Sequence, residues 1–302
     1  MQKSVIYKIR RKCQVVAHNL FGNEAMSKIY FRIILKRKLN LKNPTTFNEK
    51  LQWLKLFYWP NNEKAIICAD KYKVREYLIE KGYGEYVNEL YGVWESADDI
   101  EWDSLPEQFV LKCNHGCGYN ILCNDKSQLD TKKTEKQLDK WLKEDFSKFN
   151  AEPHYGRIKP YAICEKYLGG NIVNYNIFCC NGEPKFFSVI EGLSGGTDEA
   201  LTYYYADGRK AEFYSAAYPQ SEKPLPECLN KMKELATEIS KEFPFVRVDF
   251  FEIDGKIIFS ELTFTPGGAL IPFAPPEVDA KLGGLLNISN EMKDWSNSNE
   301  RK

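Results

Sequence analysis

Two carboxylates, Asp249 and Glu261, flank the dipeptide Asp254-Gly255 at distances of five and six residues. An Asp-Gly pair between two alternating apolar runs signals a two-residue β-hairpin. The runs are residues 246–253 and 256–263. Side chains alternate faces along a strand, so Arg247 and Asp249 share one face. The hairpin sets Glu261 nearly opposite Asp249, roughly 5–7 Å away as cross-strand neighbours are. Paired carboxylates in an apolar hairpin are costly unless something compensates them. A hard divalent cation does so most cheaply, and Mg2+ commonly keeps phosphate as a further ligand. Arg247, beside the pair, suits a developing anion. The plain alternative is an exposed hairpin whose acids face water.

A second polar group lies upstream. Residues 109–112 read as a buried strand ending in Lys112, and residues 121–123 as its return. Between them runs Cys113-Asn114-His115-Gly116-Cys117-Gly118-Tyr119-Asn120. Gly116 and Gly118 would let backbone N–H groups approach a phosphate, and Lys112 would add charge. The glycine spacing fits neither a Walker loop nor a dinucleotide fingerprint. Cys113, His115, Cys117 and Cys123 lack the spacing of a zinc site, which leaves that reading the weaker one. A further strand, residues 161–168, ends in Glu165-Lys166-Tyr167-Leu168 before a glycine pair. The chain has three histidines and no Ser/His/Asp pattern, so acyl transfer through a histidine base is not expected. Phosphoryl transfer needs mainly positioning, metal and positive charge, and these residues could supply all three.

The elements that must hold these groups are readable by periodicity. Residues 4–21 carry Ile6, Ile9, Cys13, Val16 and Leu20 at helical steps. A helix packed on the body and a basic helix lying on an anionic membrane are both open. Thr45 or Thr46 caps a helix bearing Phe47, Leu51, Leu54 and Tyr58, which stops before Pro60. Residues 61–81 read as one helix, with the run around Asp70 and Lys71 on a solvated face. Residues 127–149 and 225–242 are further helices. Hairpins are expected about Asn181-Gly182 and Asp207-Gly208, the latter pairing residues 201–205 with 212–214. The last thirty residues are rich in Pro, Gly and Asn, and the final ten are expected to fray.

The 302 residues carry 42 basic and 42 acidic side chains. Residues 1–42 hold 11 Lys/Arg and one acid, so that arm is +10 and the remainder −10. The arm therefore meets something anionic: a membrane surface, a polyanion or the acidic body. No apolar run is long enough to span a bilayer. Nine irregularly spaced cysteines, without an export signal, read as reduced thiols of a cytosol.

In order, Asp70-Lys71, Lys112 with its glycine loop, Glu165-Lys166-Tyr167-Leu168, Asp249, then Glu261 followed by Pro266-Gly267 resemble an ATP-grasp ligase. Pro44-Thr45-Thr46-Phe47-Asn48-Glu49-Lys50 and the run from Asp70 resemble in particular the TupA-like branch of teichuronopeptide and capsular polysaccharide biosynthesis. The resemblance implies an α+β, ATP-grasp fold in which two α+β subdomains grip ATP between antiparallel sheets, behind a helical arm. It implies an arm at 1–42, a helical region at 43–106, a core at 107–275 and a tail at 276–302. Within the core the flap covers about 107–165 and the metal-binding subdomain about 166–275. Lys71 and Lys112 would hold nucleotide phosphates, with His115, Gly116 and Gly118 in the closing loop. Glu165, Lys166, Tyr167 and Leu168 would line the adenine and ribose pocket. Asp249, Glu261 and Thr263 would bind Mg2+, as one ion or two bridged by Glu261, with Mn2+ as a substitute. Arg247 and Lys112 would act in catalysis.

The implied reaction is ATP-dependent formation of an acyl phosphate, then an amide, from an amine and a carboxylate-bearing sugar or polysaccharide precursor. No nucleic acid is expected among the partners. Expected localisation is cytoplasmic, at the inner face of the membrane. A glycosyltransferase of the same pathway and a silent ATP-grasp scaffold remain alternatives. The chain departs from many ATP-grasp enzymes at Thr263, where they place Asn, and from the branch at Cys117 and Tyr119 and at Asn174 and Asn176.

Overall fold

A computed structural model describes residues 5–170, 172–192, 199–221 and 224–299. The arm is α1 (Val5–Leu35), broken at Gly22, where φ is 75° and ψ is 177°. Next comes α2 (Phe47–Trp53), opened by a capping box. The Thr46 hydroxyl accepts from the Glu49 N–H at 3.3 Å, and Glu49 accepts from the Thr46 N–H at 3.1 Å. The helix then widens into a π-turn over Leu54–Tyr58.

The helix expected over 61–81 is two helices, α3 (Glu63–Ala69) and α4 (Lys73–Glu80). Asp70 breaks it. Its backbone is extended, and its carboxylate accepts from the N–H groups of Tyr72 (2.8 Å) and Lys73 (3.3 Å). A short acid that caps the next helix competes with the one it ends. Lys71 thereby sits in the break rather than on a solvated face. Glu242 fastens this helical pair to the body through Tyr77 (2.7 Å), Lys64 (3.0 Å) and Lys81 (3.2 Å). The Tyr77 hydroxyl and then the two lysines hold Glu242 down to about 2. A folded-state pKa below the unfolded value stabilises above the unfolded value and is lost on acidification. Glu242→Gln should therefore cost about 1 kcal/mol near neutrality after solvent screening. That deficit should vanish between pH 4.5 and 2, as urea melts would record.

The first sheet contains β1 (Leu90–Trp94), β2 (Phe109–Cys113), β3 (Asn120–Cys123) and, beyond α5 (Thr131–Leu142), β4 (Ala162–Lys166). Its order is β1-β4-β2-β3, with antiparallel neighbours. The sequence reads residues 86–94 as a short strand, and β1 is that strand, placed at one edge of this sheet.

The second sheet contains β5 (Val173–Cys180), β6 (Glu183–Glu191) and β7 (Ala200–Tyr205). After β8 (Tyr214–Ser215) and α6 (Leu229–Ser240) it adds β9 (Phe245–Ile253) and β10 (Lys256–Thr263). The order is β10-β9-β5-β6-β7, again antiparallel. Asp254 (φ 50°) and Gly255 (φ 76°) make the two-residue turn. Helix α6 covers one face, where the Cys179 thiol meets the Ala236 carbonyl. Phe47 of α2 packs on the other, against Phe178, Phe186, Phe245 and Phe273 at 5.5–6.5 Å.

Two expectations change. Residues 212–214 do not return along β7; β8 pairs instead with β11 (Phe273–Ala274), and Asp207-Gly208 closes only a short bridge. The tail is helical, as α7 (Val278–Gly283) and α8 (Ser289–Asn299). Trp295 rests α8 against Phe57 (4.8 Å) and Trp53 (6.2 Å), ring contacts that a composition-based reading cannot see.

Candidate active site

The hairpin register sets the site. Counting back from the turn, Ser260 would oppose Asp249. A bulge between Phe259 and Glu261 shifts the register, so Glu261 opposes Asp249 and Thr263 opposes Arg247. One inserted residue moves every later side chain to the other face. Arg247, Asp249, Glu261 and Thr263 therefore share one face.

Arg247 grips Asp249 with Nε (2.7 Å) and Nη2 (2.5 Å), reaches Thr263 at 3.1 Å and lies 3.6 Å from Glu261. The Thr263 hydroxyl lies 3.1 Å from Glu261 and 3.4 Å from Asp249. Lys71, lifted from its helix, meets Glu261 at 3.0 Å and the Gly116 carbonyl at 3.0 Å. It ties the glycine loop to the carboxylates. Asp249 is fully buried. Burial, opposed by Arg247, pushes its carboxyl up to about 7. Burial acts on Glu261 too, but Lys71 and Arg247 together outweigh it and hold Glu261 down to about 2.

The face continues onto the next strand. Asn176 of β5 is the register partner of Asp249, so both side chains lie on one side, with Cβ atoms about 4.5–5.5 Å apart. Asn176 is 1% exposed, and its Oδ1 is buried without a hydrogen-bond partner. A row of oxygen donors thus crosses three strands: Glu261, Asp249 with Thr263 beside them, and Asn176. Two carboxylates, a hydroxyl and an orphaned amide oxygen fit a hard divalent cation. Among the described residues no three His, Cys, Asp or Glu side chains are placed to hold a metal. That finding removes the zinc reading of Cys113, His115, Cys117 and Cys123.

A second cluster sits on the flap sheet. Lys112 meets Glu165 at 2.6 Å, and Arg75 of α4 meets the same carboxylate at 3.2 Å. The loop is held by Asn114, fully buried, which donates to Asp70 (2.8 Å) and the Lys159 carbonyl (2.9 Å) and accepts from the Tyr161 N–H (2.7 Å). Gly116 is required by space, since a Cβ there would come within 2.6 Å of Phe146 and 2.7 Å of Tyr119. Gly118 holds φ 72°. Tyr119 turns back to α5, stacking on Trp141 at 5.3 Å and donating to Glu144 at 2.8 Å. His115 is also tied to α5, its Nε2 lying 3.1 Å from the Trp141 carbonyl.

Lys166 and Tyr167 lie at the end of the interior strand β4, against an open cleft of about 530 Å3 that Tyr91, Glu107 and Asn124 also line. No residue of the carboxylate group lines that cleft. The Lys166 N–H is bonded to the Glu89 carbonyl at 3.0 Å. Leu168 follows in a half-buried loop.

The turn after Thr263 is clamped from α2. Gln52 donates to the carbonyls of Gly268 (3.2 Å) and Ala269 (2.9 Å). Lys55, fully buried, donates to Gly268 and Asn150 at 3.1 Å each. Sequence reasoning missed the positioning work of Asp70, Asn114, Arg75 and Lys55. Polar residues at apolar helix steps, such as Gln52 and Lys55, were the available signal.

A flap sheet and a carboxylate-bearing sheet, facing each other through Lys71 and the glycine loop, define an ATP-grasp fold. The chain matches the TupA-like ATPgrasp family over residues 49–287 and belongs to it. No curated protein matches the chain. It is similar to the D-alanine–D-alanine ligase of Bacillus anthracis, at 18% identity over 74% of this chain and 64% of that one, with a TM-score of 0.46. The same enzyme complexed with ATP is similar at 18% identity over 66% and 56%, with a TM-score of 0.40. The L-amino acid ligase of Bacillus licheniformis is similar at 15% identity over 68% and 44%, with a TM-score of 0.40. The chain spans less than two thirds of the length of each. No described helix is long and apolar enough to cross a membrane.

Proposed function

We propose that the protein is an ATP-dependent carboxylate–amine ligase of surface or capsular polysaccharide biosynthesis. It would join an amino acid or amine to a sugar carboxylate, on the cytoplasmic side of the cell membrane. One observation carries the reading: Asp249, Glu261 and Thr263 share a face flanked by Arg247 and Lys71. That is an oxygen-donor set for Mg2+ or Mn2+ beside two cations for phosphate.

Lys71 and Lys112 hold the phosphates of ATP, and the loop through Gly116 and Gly118 closes over them. Glu165 orients Lys112, and the segment from Lys166 to Leu168 borders the base. Asp249, Glu261 and Thr263 would hold the cation, with Asn176 within reach; when bound, it neutralises phosphate charge and acts as a Lewis acid. Arg247 faces the oxygens of the transferring phosphoryl group as charge builds on them. A substrate carboxylate oxygen attacks the γ-phosphorus, and the bond to ADP breaks. The amine nitrogen then attacks the acyl carbon, phosphate leaves, and the amine proton passes to solvent.

The test is phosphate release with ATP and Mg2+ over a panel of uronic acids and amino acids, with product masses. Release that requires both acid and amine, and yields an amide mass, supports the reading. Transfer of a sugar from a nucleotide donor would replace it with a glycosyltransferase.

A further inference from the structure

The first half of helix α1 turns its main apolar stripe outward. At about 100° per residue, Ile9, Cys13, Val16 and Leu20 fall within an arc of about 60°. That apolar stripe ordinarily faces the core. Here it faces outward: Ile9 is 57% exposed, Val16 59% and Leu20 72%. The face turned to the body, on the opposite side, is mixed: Val15 packs against the core beside polar Arg11 and Gln14. Gln14 donates to the Phe149 carbonyl at 2.9 Å, and the Arg11 guanidinium lies 3.5 Å over the Phe149 ring.

The second half of the helix buries Met26 and Phe31 yet also leaves apolar side chains outside. The helix is broken at Gly22, whose backbone leaves helical dihedrals. Ile29 and Ile33 of the second half are also exposed, at 42% and 58%. Residues 9–34 hold seven of the fourteen large apolar side chains exposed among the described residues. Exposed Arg10 and Lys12 flank the stripe, in an arm of net charge +10.

We propose that this arm docks the protein on an anionic lipid surface, with the stripe of Ile9, Val16 and Leu20 in the headgroup–acyl boundary and the flanking bases on the headgroups. Apolar side chains rimmed by cations are what such a surface binds. A symmetric pairing of two copies through this face would bring +10 against +10. The proposal stands on the arm alone and is independent of the ligase reading, because its test reads lipid binding.

The full chain is sedimented with vesicles of phosphatidylcholine alone, or with about one-third phosphatidylglycerol, at low and high salt. Wild type should bind the anionic vesicles at least about tenfold better than the neutral ones, and lose that preference in salt. The double variant Val16→Glu, Leu20→Glu should lose at least about tenfold in binding at an unchanged melting temperature, both positions being exposed. Arg10→Glu, Lys12→Glu should lose the preference for anionic lipid. No vesicle binding by wild type would overturn the proposal, as would binding that survives Val16→Glu, Leu20→Glu. Self-association abolished by those same two substitutions would also overturn it, making the partner a second copy.

Discussion

Asp249→Asn is expected to lower ATP-dependent phosphate release by about 10^3-fold, close to 4 kcal/mol of transition-state stabilisation. The substitution removes a carboxylate charge at the centre of the donor row while keeping its shape. It should leave the fold intact. The asparagine oxygen still accepts from Arg247, which also keeps Thr263 at 3.1 Å and Glu261 at 3.6 Å. Thermal melting and phosphate release on the same preparation separate the two effects. A fall of less than about tenfold with the fold retained would remove Asp249 from the reaction.

The largest effect on stability is expected at Phe47. It is fully buried and meets four other rings. Phe47→Ala should cost about 4 kcal/mol, as a large aromatic truncated in a packed core does. Its urea midpoint should fall with an unchanged slope. The effect bears on function because Phe178, one of those rings, lies 5.9 Å beneath Arg247. A loss under about 1.5 kcal/mol would mean that the cluster collapses around the cavity and does not fix the floor of the site.

The hairpin was legible because its signal is local: Asp254-Gly255 and two alternating runs. The sequence count left the partner of Asp249 ambiguous by one residue. The bulge at Ser260 resolves it, and no composition or period announces a bulge. The break at Asp70 was illegible for the opposite reason. Its stabilising partner, Asn114, lies 44 residues away. Lys112 and Glu165 were each marked for nucleotide, but that they pair with one another depends on β2 lying beside β4. Strand β1 was legible as a short apolar run, whereas helix α8 is held by contacts distant in sequence, which local pattern could not place. In the arm, periodicity gave the stripe at once. Which way it faces depends on what the body offers, and the body takes Val15, Gln14 and Arg11 instead, the last two on Phe149.

In the proposed reaction the face shared by Asp249, Glu261 and Thr263 works on a magnesium-bound nucleotide held by Lys71 and Lys112. A thermal-shift titration with ATP, with and without Mg2+, tests it most directly on wild type, Lys112→Ala and Asp249→Asn. A ligand that binds only the folded state adds about 2.7 kcal/mol at a hundred times its dissociation constant. The wild-type melting temperature should rise in a Mg2+-dependent way that both substitutions abolish. An unchanged wild-type melting temperature at saturating ATP and Mg2+, or a rise that survives both substitutions, would contradict it.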